Sequence, residues 1–284
     1  MKHLRTSLIH SATAAAFALS LVLGALPVHA ASANVSLSAG DLIKLPDDGN
    51  RATNVDEAIY YFGADGLRYV FPNSKTYFSW YSGFKGIKVV GLTQLGTIGI
   101  GGNVTYHPGF RMIKIDSDPK TYAVDQGGKR RWVKTEAAAI ALYGTNWNKK
   151  IDDVADAFFS NYPEGADIET ASDFNATTAM NDNPTISSNF NLSAPIEVTI
   201  NTDGSFNPPL ITVSVNRTVR FTNNTSGEYR LASDPHPTHD ALPGFDSAFI
   251  PAGLNYVYKF KKVGTWGYHH HENPAQQGGV IVTQ

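Results

Sequence analysis

Five of the nine histidines stand in two short runs near the end of the chain. His236 and His239 lie in Asp-Pro-His-Pro-Thr-His-Asp, and His269, His270 and His271 lie in Gly-Tyr-His-His-His-Glu-Asn-Pro. Neutral imidazole is the commonest metal ligand among side chains. A single loop histidine is ordinarily a solvated surface group, whereas five in two runs form a donor set. With Glu272 they supply nitrogen and oxygen, which suits Cu(II) or Zn(II), copper being held more tightly by a given site. The chain has no cysteine, so thiolate is removed both as a ligand and as a nucleophile. The candidate site is therefore His236, His239, His269, His270, His271 and Glu272 around a copper ion, with zinc as the alternative. Pro237 stiffens the first run and lowers the entropy lost on ordering it. Among other flanking acids, Asp234 and Asp240 are candidate ligands or acceptors for imidazole N–H, while Asp246 reads as solvated.

The elements that must carry these side chains are strands. From Ile196 onward, apolar and polar residues alternate in Ile196–Ile200, Ile211–Val215 and Val219–Thr222, and further strands follow at Tyr229–Leu231, Tyr256–Phe260, Trp266–His270 and Gly279–Val282. Period-two runs with regular turns and no helical stretch predict an antiparallel sandwich over 196–284. Successive side chains on a strand point to opposite faces, so Trp266, Tyr268 and His270 share one face and His269 and His271 the other. Either face can be paired with His236 and His239, and the alternation leaves both open.

The phrases "VRFTNN", followed by a histidine-bearing loop, and "GTWGYHHHENPAQQGGVIVTQ" resemble the cupredoxin family's strand, ligand loop and closing hairpin. The resemblance covers the last 90 or so residues and implies a Greek-key β-sandwich. It also implies that the two histidine runs occupy the two segments where that family gathers metal ligands. With Gly264-Thr265 and Gly278 as fixed points, the family's cysteine position falls on His270, its downstream histidine on Asn273 and its axial methionine on Gln276. A blue-copper centre needs thiolate and two imidazoles, so blue copper is excluded. The Gly-Thr-aromatic-x-Tyr-His-x-His spacing is also similar to a multicopper oxidase segment, a likeness that reaches only His269 and His271.

Upstream, one pattern occurs twice. Leu42-Ile43-Lys44, Ile59–Phe62, Ala64-Asp65-Gly66, Arg68–Phe71 and an aromatic segment at Tyr77–Tyr81 are echoed by Met112-Ile113-Lys114, Thr121–Val124, Gly127-Gly128, Arg131–Val133 and Thr135–Tyr143. The offset is about 63 residues over most of the unit. Each copy predicts a β-hairpin followed by a short helix, and two copies packed together predict an α+β domain over 41–163. The phrases "GADGLRYVFPNSKTYFSWY" and "ALYGTNWNKKIDDV" resemble a duplicated module of bacterial surface proteins, which implies a location rather than a chemistry. The acids of this part stand in turns and read as solvated, and Tyr60, Tyr77 and Trp80 read as core. Residues 164–195 are rich in Asn, Thr, Ser and Asp and predict a loose linker.

Residues 1–30 predict a secretory signal: Lys2 and Arg5 precede an uncharged apolar run that ends at Pro27-Val28-His29-Ala30. Residues 31–40 are a small-residue spacer. The fold class expected is mixed and multi-domain, a repeat domain plus an all-β sandwich, on a secreted or extracytoplasmic surface protein. No further stretch is long enough to cross a membrane. The net charge of −2 implies no basic face, so nucleic acid is not an expected partner. No Gly-x-Ser-x-Gly, His-Glu-x-x-His or phosphate-cradling loop is found, which excludes the common hydrolase designs. The leading expectation is a non-catalytic metal-binding protein with envelope components or another surface protein as partner. A scaffold without metal and a mononuclear copper oxidoreductase are the alternatives.

Overall fold

Short aromatic and β-branched runs divided by turns build four small sheets in the computed structural model, which describes residues 34–50, 52–53 and 56–284. The expected signal segment lies outside the described residues. Among those residues no helix is long and apolar enough to cross a membrane.

The first sheet contains β1 (Leu42–Lys44), β2 (Tyr60–Phe62), β3 (Arg68–Val70), β4 (Lys88–Val89) and β5 (Ile100–Asn103), with α1 (Ser74–Trp80) and α2 (Leu92–Thr97) between them. The second contains β6 (Met112–Ile115), β7 (Asp118–Asp125), β8 (Lys129–Trp132) and β9 (Ile151–Asp153), with α3 (Glu136–Tyr143) and α4 (Asp156–Phe159). Their orders are β4-β1-β2-β3-β5 and β8-β7-β6-β9. In each, an antiparallel hairpin extends from the first strand, a helix follows, and a return strand lies parallel to the first. Both helices begin where a side-chain oxygen, on Asn73 or Thr135, accepts a backbone N–H that the helix leaves free.

The expectation of a loose linker over 164–195 is not met. Glu164 and Ile168 pair in parallel with Arg130 and Val133, so the start of this segment stands beside β8 as β5 stands beside β3. It then forms α5 (Ala176–Asp182) and α6 (Ile186–Asn189). Its polar residues serve as helix caps: Asn175 accepts the Thr178 N–H, and Thr185 and Ser188 form a reciprocal capping box. Its few large apolar residues are the ones that pack, Ile168 and Ile186 being fully buried.

The sandwich holds β10 (Ile196–Ile200), β11 (Phe206–Asn207), β12 (Leu210–Ser214), β13 (Thr218–Asn223), β14 (Leu231–Ser233), β15 (Asn255–Lys259), β16 (Gly264–His270) and β17 (Asn273–Thr283). Two sheets, β11-β10-β13-β15 and β12-β17-β16-β14, close on one core of Val198, Phe221, Phe245, Phe260, Tyr268 and Val280. The sheets are not purely antiparallel, because β10 pairs with β13 and β12 with β17 in parallel. The chain crosses between sheets from β11 to β12 and again from β12 to β13, which aligns strands that hairpins would have opposed. Val257 on β15 packs with Leu42, Tyr61 and Leu67, so the sandwich and the first sheet share buried apolar surface.

Candidate metal centre

β16 carries His269 and His270 out of the core, and His271 follows in the turn to β17. Tyr268 points inward, its ring 4.9 Å from that of Phe206 and 5.1 Å from that of Phe221, both edge-on. Alternation then turns His269 to the opposite face of the strand. The register of β16 against β17 shifts between His269 and His270, a bulge of the kind that re-aims side chains at a strand end. His270 returns to the Tyr268 side, where its ring stacks on Tyr229 at 4.0 Å and its Nε2 lies 3.0 Å from a Glu272 carboxylate oxygen. Burial holds the His270 imidazole below its usual pKa, and Glu272 opposes the shift.

The loop after β14 folds over the other face. Its ends are tied to the strand: the Leu231 N–H donates to Ser247 Oγ, the Ser247 N–H donates to the Leu231 carbonyl, and the Ser233 N–H donates to Asp246 Oδ1. Inside the loop the His239 N–H donates to the Pro235 carbonyl at 2.8 Å, and the Ser233 hydroxyl donates to the His239 carbonyl at 2.8 Å. These bonds hold His239 at a φ of 52°, a left-handed conformation seldom adopted by side chains other than Asn, Asp and His itself.

The loop thereby brings His236 and His239 to His271. One ring nitrogen from each lies within 4.8 Å of the other two, and His239 Nε2 stands 3.4 Å from His236 Nδ1. His269 is the fourth imidazole, its ring centroid 5.5 Å from that of His236 and 5.2 Å from that of His239. It is 1% exposed, and its Nε2 has no hydrogen-bond partner. The Nδ1 of His271 is likewise buried without a partner. Of the sequence candidates, His236, His239, His269 and His271 are gathered, whereas His270 and Glu272 are paired with each other on the other face.

No family model matches the chain, and no curated protein matches it. Solved structures do resemble it over about a third of its length. A purple cupredoxin from Nitrosopumilus maritimus is 21% identical, the likeness covering 31% of this chain and 99% of that one at a TM-score of 0.28. The Cu(I) form of an amicyanin variant is 22% identical, covering 32% of this chain and 84% of that one, also at 0.28. A copper-containing nitrite reductase from Thermus scotoductus is 20% identical, covering 33% of this chain and 23% of that one at 0.29. At such scores the likeness carries no functional weight, and the chemistry must come from the side chains.

Five of the six ring pairings match the spacing of a single tetrahedral ion. Metal–nitrogen bonds of about 2.0 Å in a tetrahedral array place imidazole centroids about 5 Å apart. The pairings of His236 and His239 with each other and with His269 and His271 measure 4.8 to 5.7 Å, and the three residues whose ring nitrogens all lie within 4.8 Å of one another are His236, His239 and His271, with His269 at the margin of that group. Two carboxylates stand behind the rings. His269 Nδ1–H donates to Asp234 Oδ1 at 2.7 Å, and Asp246 Oδ2 lies 3.3 Å from His239 Nδ1. Asp246 is exposed, as the sequence implies, yet it is Asp246 rather than Asp240 that lies against His239, while Glu272 is paired with His270. Adjacency in sequence favoured Asp240 and Glu272, but the turn of the loop sets Asp246 against His239, and Asp240 is exposed.

Proposed function

We propose that this chain is an exported or cell-surface protein whose C-terminal sandwich binds one transition-metal ion, copper in the first place and zinc in the second. His236, His239, His269 and His271 are the ligands of this reading, and His270 and Glu272 are left out of it. The observation that supports it most strongly is the convergence of three ring nitrogens from two segments far apart in sequence, joined by a fourth imidazole whose Nε2 is buried and unpartnered. A polar atom buried without a partner is destabilising by about 1–3 kcal/mol, and coordination would remove that cost. An all-imidazole set is borderline in softness, and copper outranks zinc at a given site of this kind. The role fits storage, sensing or delivery, with the duplicated N-terminal part attaching the protein to envelope components or a second surface protein.

Titration of tag-free protein with Cu(II) tests this reading against the His236→Ala/His269→Ala double variant. The expected result is one tightly bound equivalent in the wild type and at least a hundredfold weaker binding in the variant. Equal affinity in the two would remove the proposal.

An interaction scaffold is the second reading, and one observation favours it. Phe78 and Phe84 are 43% and 59% exposed and pack edge-on 5.4 Å apart, an apolar surface on the first sheet's side. On that reading no metal binds and a chelator leaves thermal stability unchanged.

A further inference from the structure

We infer that Asp234 is a positioning residue for the metal centre, fixing the His269 ring so that Nε2 is the nitrogen offered to the ion, and that Gly267 is glycine in order to give the Asp234 carboxylate its place. The inference rests on the proposed function and adds to it the group that sets one ligand.

Imidazole has two nitrogens, and a neutral ring carries its proton on only one of them. The His269 Nδ1–H donates to Asp234 Oδ1 at 2.7 Å, which puts the proton on Nδ1 and leaves the lone pair on Nε2. The ring is 1% exposed, so water cannot satisfy that lone pair, and Nε2 meets no protein donor. A carboxylate behind a ligating histidine orients the ring and raises the basicity of the free nitrogen. Asp234 itself is 42% exposed on its side chain, so it stays hydrated on one side while bonding inward on the other.

Gly267 has no conformational reason to be glycine. It lies inside β16, and its φ is outside the left-handed region. Glycine within a strand weakens it and marks a place where something approaches closely. Here the Asp234 N–H donates to the Gly267 carbonyl at 3.1 Å, which sets the two residues side by side. A Cβ on Gly267 would stand 2.0 Å from Asp234 Oδ2 and 3.0 Å from its Cγ. Any other residue at 267 would push away the carboxylate that holds His269. The strand's missing side chain and the buried imidazole two residues later are thus one arrangement.

The experiment uses the tag-free chain titrated with Cu(II) and with Zn(II), as wild type, Asp234→Asn, Gly267→Ala and the double variant, with Asp240→Asn as control. Each single change is expected to weaken binding about 10–100-fold, while Asp240→Asn changes it by less than about twofold. Because Gly267→Ala acts through Asp234, the double variant is expected to bind no more weakly than the weaker single one. Ring nitrogen NMR of the metal-free protein is expected to show His269 protonated on Nδ1 in the wild type and that state lost in both variants, a change that loose packing alone would not produce. Asp234→Asn changes a partly exposed side chain and keeps the test open should crowding at Gly267→Ala unfold β16. Wild-type metal binding with both variants unchanged, or a wild-type His269 protonated on Nε2, would overturn the inference and leave the proposed function standing. Losses that multiply in the double variant would overturn the part given to Gly267. A wild type that binds neither ion would remove the proposed function and the inference with it.

Discussion

At the scale of single residues, the histidine runs were legible and their supports were not. Imidazoles announce themselves by type and clustering, so all five were candidates before their positions were known, and type alone could not separate His270 from the other four. Ranking the carboxylates by adjacency favoured the wrong neighbours, because an acid beside a histidine in sequence points along the chain and not across it. Gly267 offered a signal of sorts, a glycine amid the aromatic residues of a predicted strand. His107 shows how a histidine away from the cluster behaves. Its ring stacks on Trp80 at 4.0 Å, and its Nε2–H donates to the Asn183 carbonyl at 2.9 Å. Burial holds its pKa below the ordinary 6.5, the Asn183 carbonyl opposing. The unfolded chain therefore takes up a proton near pH 6.5 that the native ring resists. This contribution to stability is complete above that pH and declines as pH falls below it. His107→Phe is expected to flatten the rise of Tm between pH 5 and 7 relative to wild type, and an unchanged slope would refute the assignment.

At the scale of elements, period-two alternation located the sandwich strands, and it even posed the right question about the triplet. What it could not supply was the answer, since both faces of β16 are covered. Tyr268 looks into the sheet-to-sheet core, and the 234–246 loop buries His269 on the outside. The bulge after His269 is a matter of register with β17, which no single strand's sequence records. The 164–195 segment departs from its composition for a different reason. Its composition is that of a linker, yet its Asn and Thr residues cap short helices and its rare isoleucines fall at packing positions. Ile186→Ala tests this directly. Loss of a fully buried isoleucine is expected to reduce stability by about 2–5 kcal/mol, measured by urea unfolding, whereas a loose segment would lose less than about 0.5 kcal/mol.

At the scale of the whole molecule, the topology puts the candidate centre on the sandwich, carried by β14, β16 and the loop between β14 and β15. The first sheet packs elsewhere, through Val257 on β15. A chain without cysteine has no disulfide to close its loops, so an ion that ties the 236–239 loop to His271 would be the cross-link between them. Binding confined to the native state stabilises it by about 2.7 kcal/mol when free metal is a hundredfold above Kd. Copper-loaded protein is accordingly expected to melt at a higher temperature than the metal-free form, with a chelator reversing the gain. Identical melting curves would speak for the scaffold reading.

The most direct measurement is the electron paramagnetic resonance spectrum of the tag-free chain carrying one equivalent of Cu(II). The expected spectrum is that of a single species whose hyperfine pattern reports three or four imidazole nitrogens and which disappears in the His236→Ala/His269→Ala variant. A copper signal from an oxygen-dominated environment, or one that survives that double substitution unchanged, would contradict it.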